Sequence, residues 1–388
     1  MRKYITFGLP SIGKKEISFL KKTVESKWIG SGPKTEIFEK KFKSYKKSKY
    51  SLSLNSCTAA LHLSLISLGI KKGDEVITTP MTFCSTINSI LLVNGTPVLV
   101  DINPTTFNID EKQIEKKITK KTKAMIVVHF AGLPCNMKPI LQICRKYNIK
   151  LIEDCAHAIE SKYKNKHVGN FGYTGCFSFY ATKNITTGEG GMVITNNSNI
   201  YKKIRVMRLH GLSKDAWKRY LPESMKDTEP FQHYDVTEVG LKYNLIDLNS
   251  SLGIPQLERI EQSLVKRKKI FEYYLKRLRG LPIYFQNINP YPNKFAYHLF
   301  LIVIDKTKTN KRRDDLITYL NKNKIGTGVN YRSVTDMSLY RKNLGWNDRT
   351  CKISKNLGDN ILSLPLYPSL KISQAKYICD KVSEFFKN

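Results

Sequence analysis

One lysine stands apart from the many in this chain. In Ser178-Phe-Tyr-Ala-Thr-Lys183-Asn-Ile-Thr-Thr-Gly-Glu-Gly-Gly191, Lys183 sits among small and hydroxylated residues between two apolar, strand-like runs. An amine held between buried strands loses water, and that loss favours its neutral, nucleophilic form. The competing reading is a surface-loop lysine, the common fate of lysine; the flanking apolar strands weigh against it. Glycines 188, 190 and 191 permit close backbone approach. A second reactive group is Asp154, which follows the apolar run Ile149-Lys-Leu-Ile-Glu153. A carboxylate buried at a strand end needs a cationic partner. It could instead cap a helix, because Ala156-His157-Ala158 can start one. Asp101 is the rival carboxylate, but Asn103-Pro104 follows it and favours a turn role. A third feature is Ser56-Cys57-Thr58-Ala59 at the start of an apolar helical stretch. Free N–H groups and the helix dipole there attract an anion; the plainer role for Ser56 and Thr58 is capping alone. Phe83, just past the strand ending at Thr79, can lie flat on an aromatic ring or be an ordinary core residue.

A phosphate site, an isolated lysine, a strand-end carboxylate and a stacking aromatic together describe a pocket for pyridoxal phosphate. A carboxylate beside the pyridine nitrogen keeps that ring protonated as an electron sink.

The elements that must position these groups alternate along the chain. Residues 14–26 carry Ile17, Leu20 and Val24 at helical spacing, and 57–68 read as a buried helix capped by Ser56. Strand-like runs follow at 75–79, 97–101, 124–128, 149–153, 176–179 and 192–195. Helical stretches near 84–93, 110–118 and 136–147 separate the earlier ones. Continuous apolar strands alternating with helices predict an α/β fold with a mainly parallel sheet covered on both faces. Ligands of such sheets bind beyond the carboxyl ends of the strands, where Pro80 to Thr82, Asp101, His129 and Asp154 fall. After residue 246 a long helical region runs to about 279, with Pro255 expected to kink or divide it. A smaller α+β segment follows, with strands near 297–305 and 326–331 and helices near 312–323 and 372–386. The expected division is a large domain over 1–250 and a small C-terminal domain over 251–388.

Composition closes several other routes. A net charge of +33 invites a nucleic-acid reading, yet no helix-turn-helix, zinc-finger or RNA-binding signature accompanies it. The lysine run from Lys40 to Lys49 interleaves with Phe38, Phe42 and Tyr45 at helical spacing and reads as a solvated helix face. A positive surface would still attract an anionic substrate. The longest apolar run, His298 to Ile304, has strand length and not the ~20 residues of a membrane helix. The N-terminus meets Pro10 before a signal-like core develops, so a soluble cytoplasmic protein is expected. The eight cysteines form no CxxC and no zinc-ligand spacing, and are expected to be reduced. Gly30-Ser31-Gly32 lacks the rest of a dinucleotide fingerprint.

Across nearly its whole length the chain resembles the DegT/DnrJ/EryC1/StrS sugar aminotransferases, which are fold-type I pyridoxal phosphate enzymes. The resemblance runs through Trp28-Ile-Gly-Ser-Gly-Pro33, Ser56-Cys-Thr-Ala-Ala-Leu-His62, Gly73-Asp-Glu-Val-Ile-Thr78, Thr82-Phe-Cys-Ser-Thr86 and Val128-His-Phe-Ala-Gly132. It is strongest in Glu153-Asp-Cys-Ala-His-Ala158 and in Ser178 to Gly191, and continues through His210-Gly211, Tyr243-Asn244-Leu-Ile-Asp247 and Leu362-Ser-Leu-Pro-Leu366. It implies that Lys183 carries the cofactor covalently and shuttles a proton, and that Asp154 pairs with the pyridine nitrogen. It implies further that Phe83 stacks on the ring and that Thr58, Ala59 and Ser178 hold the phosphate. By the same resemblance, His157 is expected beside the ring, and Asn244 is expected to reach the phosphate from the partner subunit of a homodimer with shared active sites.

The implied reaction moves an amino group from an amino acid, L-glutamate by expectation, to a UDP- or dTDP-linked 4-keto sugar in surface-glycan biosynthesis, lipopolysaccharide included. Lys242-Tyr-Asn-Leu245 and Ile325-Gly-Thr-Gly328 look like the branch acting on UDP-4-keto sugars. Two departures bear on the sugar. Asn330 stands where relatives often carry a histidine, and Glu160 stands where a small residue is common. Alternatives are a dehydratase of the same fold, whose members replace the lysine with histidine, and a non-catalytic regulator. No nucleic-acid, membrane or metal partner is expected.

Overall fold

The computed structural model describes residues 3–213 and 234–387. Its first part is built on β1 (Tyr50–Leu54), β2 (Glu75–Thr78), β3 (Thr96–Leu99), β4 (Thr122–Val128), β5 (Lys150–Asp154), β6 (Lys162–Tyr163), β7 (Lys166–His167), β8 (Thr174–Ser178) and β9 (Gly191–Thr195). Seven of these form one sheet in the order β1-β9-β8-β5-β4-β2-β3. All run the same way except β9, which pairs antiparallel with both β1 and β8.

The helices of this part are α1 (Lys14–Glu25), α2 (Pro33–Lys46), α3 (Cys57–Ser67), α4 (Cys84–Leu92), α5 (Met137–Lys146), α6 (Ser198–Met207) and α7 (Asp247–Glu258). Strand residues alternate between two buried faces, as the pleat requires. Ala124, Ile126, Ile152 and Cys176 pack with α3 and α6. Met125, Val127 and Leu151 pack with Ile140 and Ile143 of α5, and Phe177 and Phe179 meet Phe38 and Phe42 of α2. Burial on both faces is why these strands read as unbroken apolar runs.

The second part contains α8 (Ile260–Leu278), β10 (Ile283–Tyr284), β11 (Asn293–Lys294), β12 (Phe300–Ile304), α9 (Arg313–Lys322), α10 (Ser338–Leu344), α11 (Lys352–Asn360), β13 (Ile361–Leu364) and α12 (Ile372–Lys387). An antiparallel sheet β10-β12-β13 packs its apolar side chains against α8, α9 and α12. Ile5, from the other end of the chain, joins this core and exchanges backbone bonds with Lys324 and Gly326. β11 pairs with the β6–β7 hairpin of the first part.

Several expectations are corrected. The stretch 110–118 is not an α-helix but two 3-10 turns, Glu111–Gln113 and Glu115–Lys117. The Asp110 carboxylate binds Lys112 N–H and the Gln113 amide locally, which favours a turn. No strand spans 326–331; Gly328 alone bridges to Ser363, and two glycines make a poor strand. The helical region after 246 is divided at Arg259 and not at Pro255, which lies inside α7. The Arg259 guanidinium turns towards α1, binding Ser11 O and pairing with Glu16. On α1, Ile17 and Val24 are 62% and 55% exposed while Glu16 and Thr23 are buried, so its apolar stripe faces outward. In the lysine run of α2, Lys46 is fully buried, with Nζ donating to Ile159 O at 2.7 Å above the Phe177 ring.

Candidate active site

The carboxyl ends of β4, β5 and β8 open onto a cavity of about 530 Å³. Its floor is the first part of the fold, including Ser56, Cys57, Thr58, Phe83, Asp154, His157, Ser178 and Lys183. Its far wall comes from the second part, through His298, Leu299, Asn330 and Tyr331, with Phe7 and Gly8 of the N-terminal segment.

Each floor residue follows from local structure. Lys183 lies in the loop between β8 and β9. Removal from water pushes its amine down to about 8, against the opposing pull of Cys57 and Asp154. Asp154 ends β5 and is 4% exposed. It accepts from Thr86 Oγ1 at 3.0 Å and from Ala156 N–H at 3.1 Å. Burial raises its carboxyl above the usual value, against the pull of these two bonds. The capping alternative is half realised: the bond to Ala156 is local, yet no helix begins there. Asp101 stands elsewhere, its carboxylate binding Ile353 and Ser354 N–H at the start of α11.

Ser56 caps α3, its hydroxyl accepting from Ala59 N–H at 3.1 Å. Ala59 therefore offers its donor only by sharing it, whereas the N–H groups of Cys57 and Thr58 have no intrahelical acceptor. The strand β9 starts hard against this turn. A Cβ on Gly191 would come within 2.3 Å of the Ser56 carbonyl, so only glycine fits. Phe83 is 57% exposed at the cavity, 6.0 Å from the Tyr331 ring. Asn244 does not line this cavity. Its Nδ2 donates to Ser31 Oγ at 2.6 Å, and its buried Oδ1 has no partner among the described residues.

The two histidines of the cavity stack at 4.4 Å between ring centroids. His157 Nδ1 accepts from Ala131 N–H at 3.3 Å, which leaves the proton on Nε2 to meet Tyr331 Oη at 3.0 Å. His298 Nδ1 lies 2.9 Å from Asn184 Oδ1. Burial, with Lys183 nearby, holds both rings well below the usual histidine value, so both are neutral. Sequence reasoning missed His298, Thr86 and Tyr331 as site groups. The available signals were a histidine opening the most apolar strand and two threonines four apart in Thr82-Phe-Cys-Ser-Thr86. Glu160 is also explained: it is fully buried, pairs with Arg267 and accepts from Asn184 Nδ2.

This donor set fits pyridoxal phosphate. Asp154 is a buried carboxylate with no ion-pair partner within 4 Å among the described residues, as expected of a group that awaits a pyridinium. The glycine-lined turn at Cys57 and Thr58 suits a phosphate, and Lys183 is a desolvated amine.

A mainly parallel sheet with such a site at its carboxyl edge defines the class: a fold-type I, pyridoxal phosphate-dependent transferase. The model of the DegT/DnrJ/EryC1/StrS aminotransferase family matches residues 10–383, and the chain belongs to that family. It is 38% identical over 385 residues to the spore coat polysaccharide biosynthesis protein SpsC of Bacillus subtilis, covering 99% of this chain and 97% of that one. The putative sugar aminotransferase Spr1654 of Streptococcus pneumoniae, in its PMP form, is similar at a TM-score of 0.90 and 30% identity, over 99% of each chain. PseC of Helicobacter pylori, an aminotransferase involved in the biosynthesis of pseudoaminic acid, matches at a TM-score of 0.90 and 28% identity, over 99% of this chain and 100% of that one. The protein is thus a pyridoxal phosphate-dependent enzyme of the sugar aminotransferase family. Among the described residues, no helix is long and apolar enough to cross a membrane.

Proposed function

We propose that this enzyme transfers an amino group from an amino acid, L-glutamate, to a nucleotide-linked keto-sugar of the UDP- or dTDP-4-keto class in the cytoplasm. The observation that carries this reading is the convergence of Lys183 and Asp154 on one cavity beside the α3 N-terminus. The bound cofactor supplies an electron sink and carries the amino group between the two substrates. Lys183 Nζ takes a proton from the α-carbon of the donor and, with the second substrate, delivers one to the sugar carbon. The Asp154 carboxylate holds a proton at the pyridine nitrogen. The N–H groups at Thr58 and Ala59 and the Ser178 hydroxyl would bind phosphate, Phe83 would pack on the ring, and His157, bonded to Tyr331, would lie beside it.

In this reading the enzyme is a homodimer. The outward stripe of Ile17 and Val24 is a surface that a second copy would cover, and Asn244, absent from its own cavity, serves the partner's phosphate. The division into residues 1–250 and 251–388 belongs to the same proposal. The roles of SpsC and PseC in polysaccharide and pseudoaminic acid biosynthesis support a sugar acceptor. A dehydratase is disfavoured by Lys183, and a non-catalytic regulator by the intact lysine–aspartate pair. The test is incubation with L-glutamate and a panel of nucleotide-linked 3-keto and 4-keto sugars, with amino-sugar formation read by mass. Formation of no amino sugar from any member would defeat the proposal.

A further inference from the structure

The wall opposite Lys183 contains a chain of side chains that the reaction as described does not use. Arg267 and Glu160 form an ion pair, 1% and 0% exposed, behind the cavity. Arg267 also donates to Tyr297 O at 3.1 Å and to Ala296 O at 3.2 Å, bracing the backbone that leads into His298. The second Glu160 oxygen accepts from Asn184 Nδ2 at 2.7 Å, and Ala296 O lies 3.3 Å from the same nitrogen. A reversed amide would set its oxygen against two acceptors, so the orientation of Asn184 is fixed. Its carbonyl oxygen therefore faces His298 Nδ1 at 2.9 Å and must receive a proton from it.

The proton on Nδ1 leaves Nε2 of the neutral ring as a lone-pair acceptor. Nε2 has no hydrogen-bond partner among the described residues and is not among the side-chain atoms sealed from solvent. The stacked neighbour His157 is the opposite case, with one nitrogen accepting from Ala131 and the other donating to Tyr331. Of the two rings, only His298 keeps a nitrogen free for a ligand.

We propose that Glu160, acting through Asn184, is a positioning residue that locks His298 in its Nδ1–H form, so that Nε2 accepts a hydrogen bond from a hydroxyl of the sugar substrate. The sugar contact rests on the aminotransferase reading above; the locked form does not.

The test begins with holoenzyme labelled with [15N]histidine, in which long-range 15N–1H correlations report which nitrogen of each ring carries the proton. The His298 signals are assigned by their loss in His298→Phe. The wild type should show His298 protonated on Nδ1 alone, and Asn184→Ala and Glu160→Gln should each populate the Nε2–H form. Should Glu160→Gln fail to fold, Asn184→Ala leaves the Glu160–Arg267 pair in place and decides the matter. A wild-type ring protonated on Nε2, or an unchanged ring in the folded variants, would overturn the positioning role.

The contact is read by steady-state kinetics with L-glutamate and the UDP-linked 4-keto-6-deoxy sugar formed from UDP-N-acetylglucosamine. In His298→Phe the sugar KM should rise roughly tenfold, the scale of one lost hydrogen bond, with a smaller fall in kcat. A fall in kcat at unchanged KM would overturn the sugar contact. If the wild type does not turn this sugar over, the member of the keto-sugar panel that it does turn over takes its place; if it turns over none, the contact falls with the substrate reading, while the spectra still decide the positioning role.

Discussion

Thr86→Val isolates what holds the key carboxylate in its charged form. Thr86 has one hydroxyl proton and gives it to Asp154 Oδ2 at 3.0 Å. Thr82 Oγ1, 2.7 Å from Thr86 Oγ1, must therefore be the donor in that second bond, making a two-hydroxyl relay onto the carboxylate. Valine keeps the shape and removes both bonds. The lost bond to a charged group is worth about 1.5–3 kcal/mol, which is roughly one to two pKa units. The Thr82 hydroxyl, left without an acceptor, costs a further ~1 kcal/mol that does not depend on pH.

The folded Asp154 carboxyl already lies above the ordinary aspartate value of 3.8. The native state thus holds this proton more tightly than the unfolded chain, and the group's contribution to stability falls as pH rises from about 3.8 through the folded value. Thr86→Val moves the folded value further up. Its penalty should be ~1 kcal/mol near pH 4 and grow towards about 2.5–4 kcal/mol as the pH rises past the folded value. Urea unfolding of the apoprotein across that range, followed by fluorescence, measures it. Adding pyridoxal phosphate should shrink the pH-dependent part, because a pyridinium supplies the missing cation. A penalty that stays flat with pH would refute the relay as the support of the Asp154 charge.

Borohydride reduction of the holoenzyme should fix the cofactor on the peptide containing Lys183; in the apoprotein the reaction of that amine with a small aldehyde should titrate near pH 8, and a midpoint in the ordinary lysine range would contradict its desolvation. Gly191→Ala, which drives a methyl into the Ser56–Cys57 turn, should weaken cofactor binding by about tenfold or more in equilibrium dialysis; unchanged affinity would show that this turn does not hold the phosphate. Lys183→Ala and Asn244→Ala, each inactive alone, should regain about a quarter of wild-type activity when unfolded and refolded together, since half the dimers are mixed and half their sites intact. No recovery, with mixed dimers demonstrated by mass, would place Asn244 in its own subunit's site.

What the sequence determined by itself was whatever depends on near neighbours. Apolar runs alternating with helical stretches announced the parallel sheet, because burial on both faces leaves no polar alternation to confuse the period. Ser56 was legible as a cap and Lys183 as a desolvated amine, because a cap and a strand-flanked loop are set within a few residues. Asp154 was legible as a strand-end carboxylate, but not the Thr86 hydroxyl that supports it 68 positions away. The second wall of the cavity was invisible for the same reason. His298 meets Asn184 across 114 positions and Arg267 meets Glu160 across 107, and no periodicity links such pairs. Glu160 read as a departure in one dimension and is a fully paired buried charge in three. On α1 the pattern misled, since hydrophobic spacing marks a stripe without saying whether its own chain covers it. Only the packing of α7 and Arg259 against Glu16 turned Ile17 and Val24 outward. The tautomer of a histidine is likewise decided by whichever acceptor the finished fold sets beside it, and that acceptor comes from a distant part of the chain.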